Sequence, residues 1–358
     1  MIDLSTNGPW AAGCSALSWH TGDGKQLWGR NYDFDRLAEG SRVTVLPRGI
    51  PYWLLRGKDG TEERAAVRYA CAGTGLLLGR APVLYEGLNE AGLMGGQLYY
   101  RGFAHYGGVT PPHARPVQPP FLVLHLLAQC ASVAEAAAML EGELSLADIP
   151  LLGTVPPLHW SFSDAAGETM VVEPDSDGLR IYRHTLGVMT NSPGYPWHRL
   201  NLLNYAGLRD LDHASTPFGD GLEQCFSGSG AQGLPGDWSS PSRFVRLAFL
   251  RTFAPPGEDE ESGVSRMFRL LQSAAFPLGA VRVSHQSPAT GLDAQVLPYD
   301  YTVYTAVCCA QSRRFYWTTY ENQRIRYLEL DPLLDHTSPL QFPLDTAPDF
   351  LPVTDQFC

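Results

Sequence analysis

The chain has 358 residues, 44% of them hydrophobic, so it is long enough to bury a large core as one big domain or two ordinary ones. Its 37 acidic and 26 basic side chains give a formal net charge of −11 at pH 7. Nucleic-acid binding depends on clustered Lys and Arg facing phosphates, so this composition argues against a nucleic-acid partner.

The start of the chain has no basic cluster and no long apolar run, and no stretch approaches about 18 uninterrupted apolar residues. We therefore expect no secretory signal and no membrane span. The seven cysteines are odd in number and scattered, which indicates free thiols in a reducing compartment, most simply the cytoplasm. The ten histidines fall into no ligand spacing, and CxxC and HExxH motifs are absent, so we predict no metal.

Residues 14–34, CSALSWHTGDGKQLWGRNYDF, predict a β-hairpin. An alternating strand leads to a Gly-rich turn at 21–24, and a second strand returns from Gln26. Arg30 and Asp33 lie at the end of the second strand, so the turn folds them back toward Cys14. Local structure alone is therefore expected to gather a thiol, a fixed positive charge and a carboxylate.

This grouping suits a nucleophilic cysteine, because a thiol with an ordinary pKa of about 8.5 reacts as the thiolate, which a guanidinium favours. The group still needs a base. A histidine from elsewhere in the chain would serve, as in papain-like enzymes. Alternatively, Cys14 becomes the first residue of a mature chain and its own α-amine takes the proton, which makes residues 1–13 a propeptide. The remaining alternative is that Cys14 is one more small buried hydrophobe.

The rest of the chain predicts antiparallel strands with helices clustered between them, which indicates an α+β layered fold. A proline-rich segment at 107–120 predicts a loop, either an inert connection or a wall over a pocket. The clearest helix is 121–141, where His125 is expected to be a core residue. Helices are also predicted at 241–253 and 262–273. Strands are predicted at 42–47, 52–56, 64–71, 93–100, 179–183, 301–309 and 314–321, together with a hairpin at 158–174 and a strand that leads into 190–191.

Two glycine patterns need no ligand. Residues 228–233 match GxGxxG, but they lack the preceding strand and following helix that a dinucleotide site requires, so we predict no cofactor. The glycines of 73–79 are typical of close backbone packing or a bulge.

The hairpin, with its GRNYD motif ending at Asp33, resembles the opening of the choloylglycine hydrolase family, which includes bile-salt hydrolases and penicillin V acylases. Four further segments resemble blocks of that family in the family's order: 42–57, 85–100, 186–205 and 233–250. The tail from Tyr301 resembles its closing hairpin. The resemblance covers nearly the whole chain from Cys14, as a single domain 14–358. It implies the α+β, four-layer αββα N-terminal nucleophile hydrolase fold, with two antiparallel sheets between helical layers.

The resemblance also implies roles for the charged residues. Cys14 matches the nucleophile whose own α-amine carries the proton, and Asp33 matches the carboxylate that orients this amine. Arg30 and Arg243 match two arginines beside the thiol. The residues alone allow another interpretation of either arginine, namely a buried salt bridge.

Two positions match the donors to the tetrahedral oxyanion. Asn191 would donate from its side chain, although a turn or capping asparagine before Pro193 is equally natural. Tyr99 would donate from its backbone N–H. Bile-salt hydrolases tend to have asparagine at this position, whereas penicillin V acylases can have tyrosine, so Tyr99 favours penicillin V acylase-like specificity.

Thirteen residues precede Cys14, so maturation by this route requires cleavage of the Gly13–Cys14 bond, self-catalysed by the thiol. The first hypothesis is then an N-terminal-cysteine amidohydrolase acting on a small amide with an apolar acyl group: penicillin V, a conjugated bile salt or an acyl-homoserine lactone. The second is a papain-like Cys/His hydrolase that keeps residues 1–13. The third is an unprocessed, non-enzymatic binder of amphipathic small molecules. The resemblance further implies a homo-oligomer, tetramer or dimer, with 200–232 in the place of the family's assembly extension.

Overall fold

A computed structural model of the chain describes residues 13–354 apart from 79–80, 109–110, 215–217, 219–220, 222–226 and 284–295. The predicted propeptide therefore lies outside the described residues except for Gly13. Residues 109–110 of the 107–120 loop and ten residues of 200–232 also lie outside the described residues.

Within the described residues, seven strands form one antiparallel sheet and nine form another. The first sheet has the order β15-β1-β2-β17-β18-β19 with β16 on β17: β1 (Gly13–His20), β2 (Gln26–Phe34), β15 (Val188–Met189), β16 (Val281–Arg282), β17 (Tyr299–Cys309), β18 (Arg314–Thr319) and β19 (Arg326–Glu329). The second has the order β14-β13-β12-β9-β8-β6-β3-β20 with β7 on β6: β3 (Arg42–Leu46), β6 (Cys71–Leu78), β7 (Ala81–Leu84), β8 (Glu86–Asn89), β9 (Met94–Tyr99), β12 (Leu158–Ser163), β13 (Thr169–Asp175), β14 (Gly178–Arg183) and β20 (Leu340–Phe342).

The helices lie outside the two sheets, which face each other through β1 and β2 against β9. One helical layer packs on β7, β8 and β9, and the other packs on β1, β2 and β17. The predicted four-layer αββα arrangement is therefore confirmed. The helices are α1 (Leu122–Gln129) and α2 (Val133–Gly142) on one side, and α4 (Ser240–Phe253) and α5 (Glu260–Gln272) on the other, with the short α3 (Tyr195–Asn201) beside α4. Two small ladders complete the fold: β4 (Pro51–Arg56) with β5 (Glu62–Ala66), and β10 (Arg115–Val117) with β11 (Leu144–Leu146).

The predicted opening hairpin is confirmed. Strands β1 and β2 pair without a register shift from Gly13 opposite Asp33 to His20 opposite Gln26. The hairpin at 158–174 is also confirmed as β12 and β13, and the closing pair as β17 and β18. Alternation and turn residues were sufficient signals here because each pairing is local.

The prediction of one helix over 121–141 is wrong, because the helix is interrupted between Gln129, where α1 ends, and Val133, where α2 begins. Cys130 is extended, with φ −111° and ψ 140°, and Ser132 caps α2 by accepting from Glu135 N. The side chain of Asn89 donates to the carbonyls of Leu127 and Cys130, at 2.7 Å each. A buried side-chain amide on β8 therefore binds carbonyls that a continuous helix would have used in its own hydrogen bonds. No pattern in the sequence of 121–141 predicts this interaction. His125 is buried on α1, in agreement with the core interpretation.

The single strand predicted at 64–71 is also wrong, since β5 ends at Ala66 and β6 begins at Cys71. Between them the amides of Arg68 and Tyr69 both donate to Ala128 O on α1. The strands β7, β8, β11, β16, β19 and β20 and the helix α3 had no separate prediction. Within 107–120, which was predicted as a loop, residues 115–117 instead form β10.

Close backbone packing is confirmed at Gly73, where an added Cβ would lie 1.8 Å from Glu86 O. Glycine at this position therefore allows the backbones of β6 and β8 to approach closely. The GxGxxG segment has a short 3-10 turn over Ser229–Ala231. Of the helices in the described part of the chain, none is long and apolar enough to cross a membrane.

Candidate active site

The opening hairpin brings three of the predicted residues together near one end of the paired strands β1 and β2, inside the first sheet. Cys14 pairs with Tyr32, which places Asp33 opposite Gly13 and Arg30 opposite Ala16. Arg30 Nη2 lies 3.5 Å from Cys14 Sγ. The Cys14 side chain is buried, and burial raises the pKa of its thiol although Arg30 opposes this effect. With Gly13 still attached, the thiol is therefore held mainly protonated at neutral pH.

Arg30 is also one half of a buried ion pair. Its Nη1 lies 2.8 Å from Glu86 Oε2 and donates to Tyr85 O at 3.1 Å. The hydroxyl of Tyr304 donates to the same carboxylate. Arg30 thus contacts the thiol with one nitrogen and a buried carboxylate with the other, so the predicted buried salt bridge and the predicted place beside the thiol are both present.

Asp33 is fully buried beside Gly13 and Cys14. Its Oδ1 accepts from the hydroxyl of Thr302, while its Oδ2 has no hydrogen-bond partner among the described residues. Burial raises the pKa of Asp33 to about 7, against the opposing effects of Arg243 and of the Thr302 hydrogen bond. A half-satisfied buried carboxyl is therefore ready to accept one more donor at this position.

We expect Asp33 to make a contribution to the stability of the uncleaved protein that falls as pH rises toward neutrality. The pKa of Asp33 rises from 3.8 to about 7 in the folded chain, so the folded state binds this proton more tightly than the unfolded state does. Its stabilising contribution is full below about pH 4 and is lost as pH passes about 7. Asp300, whose pKa burial raises to about 8, adds to the same trend. Urea unfolding of Cys14→Ala and of Cys14→Ala/Asp33→Asn between pH 4 and 8 isolates this contribution, because the opposing effect of the buried histidines is common to both proteins. The stability of Cys14→Ala relative to the double variant should fall as pH rises; a difference that does not change with pH would contradict this role for Asp33.

Asn191 follows β15 and connects the remaining predicted residues. Its Oδ1 accepts from Cys14 N at 2.9 Å and from Arg243 Nη2 at 2.7 Å. Its Nδ2 donates to Tyr99 O at 2.9 Å. Arg243, on the first turn of α4, also donates from Nη1 to Cys14 O at 2.6 Å and to Ser15 Oγ at 2.7 Å. The structure thus gathers all six predicted residues around the Cys14 backbone and thiol.

A cavity of about 190 Å³ opens at Cys14, Arg30 and Asp33 between the two sheets. The ring of Tyr99, at the end of β9, forms part of its wall and lies 5.8 Å from the ring of Phe34. The other walls are mainly apolar, including Leu76, Leu78, Val83, Leu151, Pro156 and Leu158. A larger cavity of about 680 Å³ lies between α5 and the closing strands, but Cys14 does not line it. We therefore place the reacting part of a substrate in the smaller cavity.

Sequence reasoning missed the partners that support these residues. Glu86, Tyr304 and Thr302 come from β8 and β17, far along the chain from the side chains that they bind. Glu86 lies inside the 85–100 block, but an acidic residue in a strand carries no signal of a distant arginine. Such pairing is a tertiary property, and only the sheet-to-sheet packing reveals it.

Within the described ranges, no hydrogen bond joins a histidine to Cys14 Sγ, whose side-chain partner is Arg30. Nor do His, Cys, Asp and Glu residues of the described chain form a group of three or more that could hold a metal ion. The chemistry available here is that of a thiol, two arginines, a carboxyl and an asparagine amide.

Residues 14–342 match the model of a family described as linear amide C–N hydrolases, choloylglycine hydrolase family. The chain is 30% identical to the bile salt hydrolase/transferase of Clostridium perfringens (strain 13 / Type A) over 321 residues, which cover 89% of this chain and 92% of that protein. It is 30% identical to the bile salt hydrolase/transferase of Lactiplantibacillus plantarum over 348 residues, 95% of this chain and 99% of that protein.

Solved structures agree with these matches. A variant of the conjugated bile acid hydrolase from Clostridium perfringens superposes with a TM-score of 0.82 at 28% identity, covering 95% of this chain and all of that one. The penicillin V acylase from Agrobacterium tumefaciens gives a TM-score of 0.65 at 18% identity, covering 89% of this chain and 86% of that one. At 18% identity the second likeness concerns the fold alone.

Proposed function

The chain belongs to the choloylglycine hydrolase family, the linear amide C–N hydrolases, and from that premise we propose that Cys14 is its N-terminal nucleophile. The protein is a hydrolase of non-peptide C–N bonds in linear amides. The observation that carries the proposal is the position of Cys14 Sγ, 3.5 Å from the Arg30 guanidinium at an apolar cavity. We further propose a propeptide, residues 1–13, followed by a single amidohydrolase domain, 14–358.

Removal of residues 1–13 would convert the Cys14 amide nitrogen into an α-amine with a pKa near neutrality. That nitrogen already faces Asn191 Oδ1 at 2.9 Å, and the unsatisfied Oδ2 of Asp33 supplies a place for a new ammonium proton. The amine takes the thiol proton as Sγ attacks the substrate carbonyl, and later gives that proton to the leaving amine. Water then hydrolyses the thioester, which releases the acid and restores the thiol.

Asn191 would stabilise the oxyanion of both tetrahedral intermediates. An amide NH2 group has two donors, and Asn191 uses one of them on Tyr99 O. The second remains for the substrate, beside the backbone N–H of Tyr99 as the other proposed donor. Arg30 and Arg243 add positive charge at two atoms of Cys14, at Sγ and at the carbonyl oxygen respectively.

The residue before the nucleophile is restricted by its packing. Gly13 is paired with Asp33, and an added Cβ there would lie 2.6 Å from the ring of Phe276. A side chain at this position would therefore require the Phe276 ring to move. We propose that Cys14 Sγ attacks the Gly13 carbonyl, which breaks the Gly13–Cys14 C–N bond, frees the Cys14 α-amine and forms a thioester. Water then hydrolyses this thioester, which releases residues 1–13 with a terminal carboxylate and restores the thiol.

The proposed substrate is a small amide with a compact apolar acyl group, as in penicillin V. Pockets for drug-sized ligands occupy roughly 300–1,000 Å³, whereas the cavity at Cys14 has about 190 Å³. Its apolar walls and the aromatic ring of Tyr99 suit a short or single-ring acyl group. The second candidate is conjugated bile-salt hydrolysis, favoured by the similarity to two bile salt hydrolase/transferases at 30% identity.

A substrate panel tests this specificity. We expect the purified mature protein to hydrolyse penicillin V with a kcat/KM at least about tenfold above its value for glyco- or tauro-conjugated bile salts, because a bulky acyl group must displace the cavity walls. Acyl-homoserine lactones of increasing chain length would report the usable depth of the cavity. A preference for bile salts would reject the first candidate in favour of the second. A protein that keeps residues 1–13 and hydrolyses none of these amides would instead be an unprocessed binder.

Assembly and location complete the proposal. Exposed apolar side chains cluster around α3 and the turn after it, with Leu200 67% and Leu203 72% exposed. This surface supports a homo-oligomer, tetramer or dimer, which light scattering would count. The described free cysteines are all buried, which is compatible with the proposed cytoplasmic location.

A further inference from the structure

We infer that His198 is a positioning residue for this hydrolysis: together with Ser240 it holds the main-chain carbonyl of Asn191 and thereby aims the Asn191 side chain at the reacting atoms. The inference rests on the proposed function, in which the Asn191 amide binds the oxyanion. It concerns the backbone behind that amide, which neither arginine holds.

The Asn191 carbonyl oxygen is bound from two directions. His198 Nε2 lies 2.9 Å from it and Ser240 Oγ lies 2.8 Å from it. His198 belongs to α3 and Ser240 is the first residue of α4, so two separate helices meet on this one oxygen. A carbonyl has two lone pairs, and both are used here.

The ring of His198 is fixed in the form that this bond requires. It is 2% exposed and stacks on the ring of Phe244, with centroids 4.5 Å apart and planes 11° from parallel. Burial lowers the pKa of His198 to about 4, so the imidazole is neutral at neutral pH. Because its partner is a carbonyl, Nε2 must carry the hydrogen, and Nδ1 has no hydrogen-bond partner among the described residues.

Asn191 needs this support because it lies outside regular structure. The strand before it has two residues, and α3 begins only at Tyr195. The residues on either side of Asn191 are also held by hydrogen bonds from their side chains. Thr190 Oγ1 is hydrogen-bonded to the carbonyl oxygen and to the Oγ of Ser240, and Ser192 Oγ donates to Arg101 O at 2.7 Å. The active-site geometry of Asn191 is therefore imposed from outside by hydrogen bonds.

Helix α4 couples the two ends of Asn191. Ser240 holds the main-chain carbonyl, and Arg243, one turn later on the same face, holds the side-chain Oδ1 at 2.7 Å. Loss of the His198 donor would let the carbonyl rotate and carry the amide with it. A displacement of about 1 Å at a reacting group can cost about 100-fold in rate.

Two substitutions of His198 distinguish the effect of losing its N–H donor from the effect of losing its aromatic ring. His198→Phe keeps an aromatic ring on Phe244 but removes the donor, whereas His198→Gln supplies an N–H donor without the ring. On protein whose mass shows a free N-terminal Cys14, we expect His198→Phe to lower kcat by roughly 10- to 100-fold with KM nearly unchanged. His198→Gln should restore kcat to within about fivefold of wild type.

Ser240→Ala is the companion test, because it removes the other donor to the same oxygen. Its effect on kcat and that of His198→Phe should be non-additive, since the two groups act on one carbonyl. Additive effects on kcat would mean that the two side chains act separately and would overturn the shared-carbonyl arrangement.

His125→Phe is the matched control. His125 is another buried histidine, on α1 in the opposite helical layer, where its Nδ1 lies 2.8 Å from the Tyr52 hydroxyl. We expect His125→Phe to lower the free energy of unfolding about as much as His198→Phe does, but to keep the wild-type kcat. Equal kcat for His198→Phe and wild type, or a deficit that His198→Gln does not rescue, would overturn the positioning role. Wild-type protein that never exposes Cys14 or hydrolyses no amide would instead reject the proposed function itself.

Discussion

Replacing Cys14 with alanine should leave a full-length protein that hydrolyses linear amides at least 10⁴-fold more slowly than the wild type. The thiol is expected to carry both reactions, cleavage after Gly13 and attack on the substrate, so one substitution removes both. Loss of a nucleophile in a hydrolase lowers kcat by up to about 10⁶-fold. The covalent pathway is then closed, and only the residual rate from oxyanion stabilisation and substrate binding remains. Intact mass after storage at neutral pH measures the first effect, and a penicillin V assay measures the second.

A second buried cysteine supplies the control for this result. Cys71 is fully buried on β6, and burial raises the pKa of its thiol as it does for Cys14. Cys71→Ala should still lose residues 1–13 and keep its activity. What differs between the two thiols is the arginine beside Cys14 and the cavity above it. Wild-type protein of full-length mass that still hydrolyses amides would contradict the N-terminal nucleophile mechanism and revive the papain-like alternative.

The part of the site that lies on the opening hairpin could be predicted from sequence because its geometry is local. A turn of known position and an uninterrupted ladder determine that Arg30 and Asp33 return to Cys14. Asn191 and Arg243 lie more than 170 residues away from Cys14, and no pattern in the chain predicts their proximity. Only the resemblance to a family suggested them, and the structure then placed Asn191 Oδ1 within 2.9 Å of Cys14 N.

What sequence could not supply are the buried groups that hold these residues. Glu86 beside Arg30, Asn89 at the break between α1 and α2, and His198 behind Asn191 each act across elements that are distant in the chain. A buried polar side chain satisfies whichever partner the packing brings to it. Its residue type indicates that a partner is needed but does not say which one. The size of the cavity at Cys14 depends in the same way on packing between the two sheets.

Arg30 shows how one residue can serve stability and chemistry together. Its ion pair with Glu86 is buried on both sides, at 2% and 0% exposure. Burial raises the pKa of Glu86, while Arg30 lowers it. A buried pair contributes little net stability compared with apolar groups, but removing one partner leaves an uncompensated charge. The two roles should therefore respond differently to single and double substitution.

Arg30→Met is expected to lower the free energy of unfolding by about 3–5 kcal/mol, because it strands Glu86 as a buried carboxylate. The double variant Arg30→Met/Glu86→Gln should recover most of that loss, since the neutral amide still accepts from the Tyr304 hydroxyl. Activity should not recover. Without a guanidinium 3.5 Å from Sγ, we expect kcat to stay about 100-fold or more below wild type in both variants.

Urea unfolding and kcat on the mature fraction measure the two roles of Arg30 separately. Glu86→Gln alone is the control, because it retains the guanidinium at the thiol while weakening the ion pair. If the double variant regained stability and kcat together, Arg30 would be a structural residue that only neutralises Glu86. If stability returned and kcat did not, the positive charge itself would be what lowers the barrier at Cys14, since burial alone holds the thiol protonated.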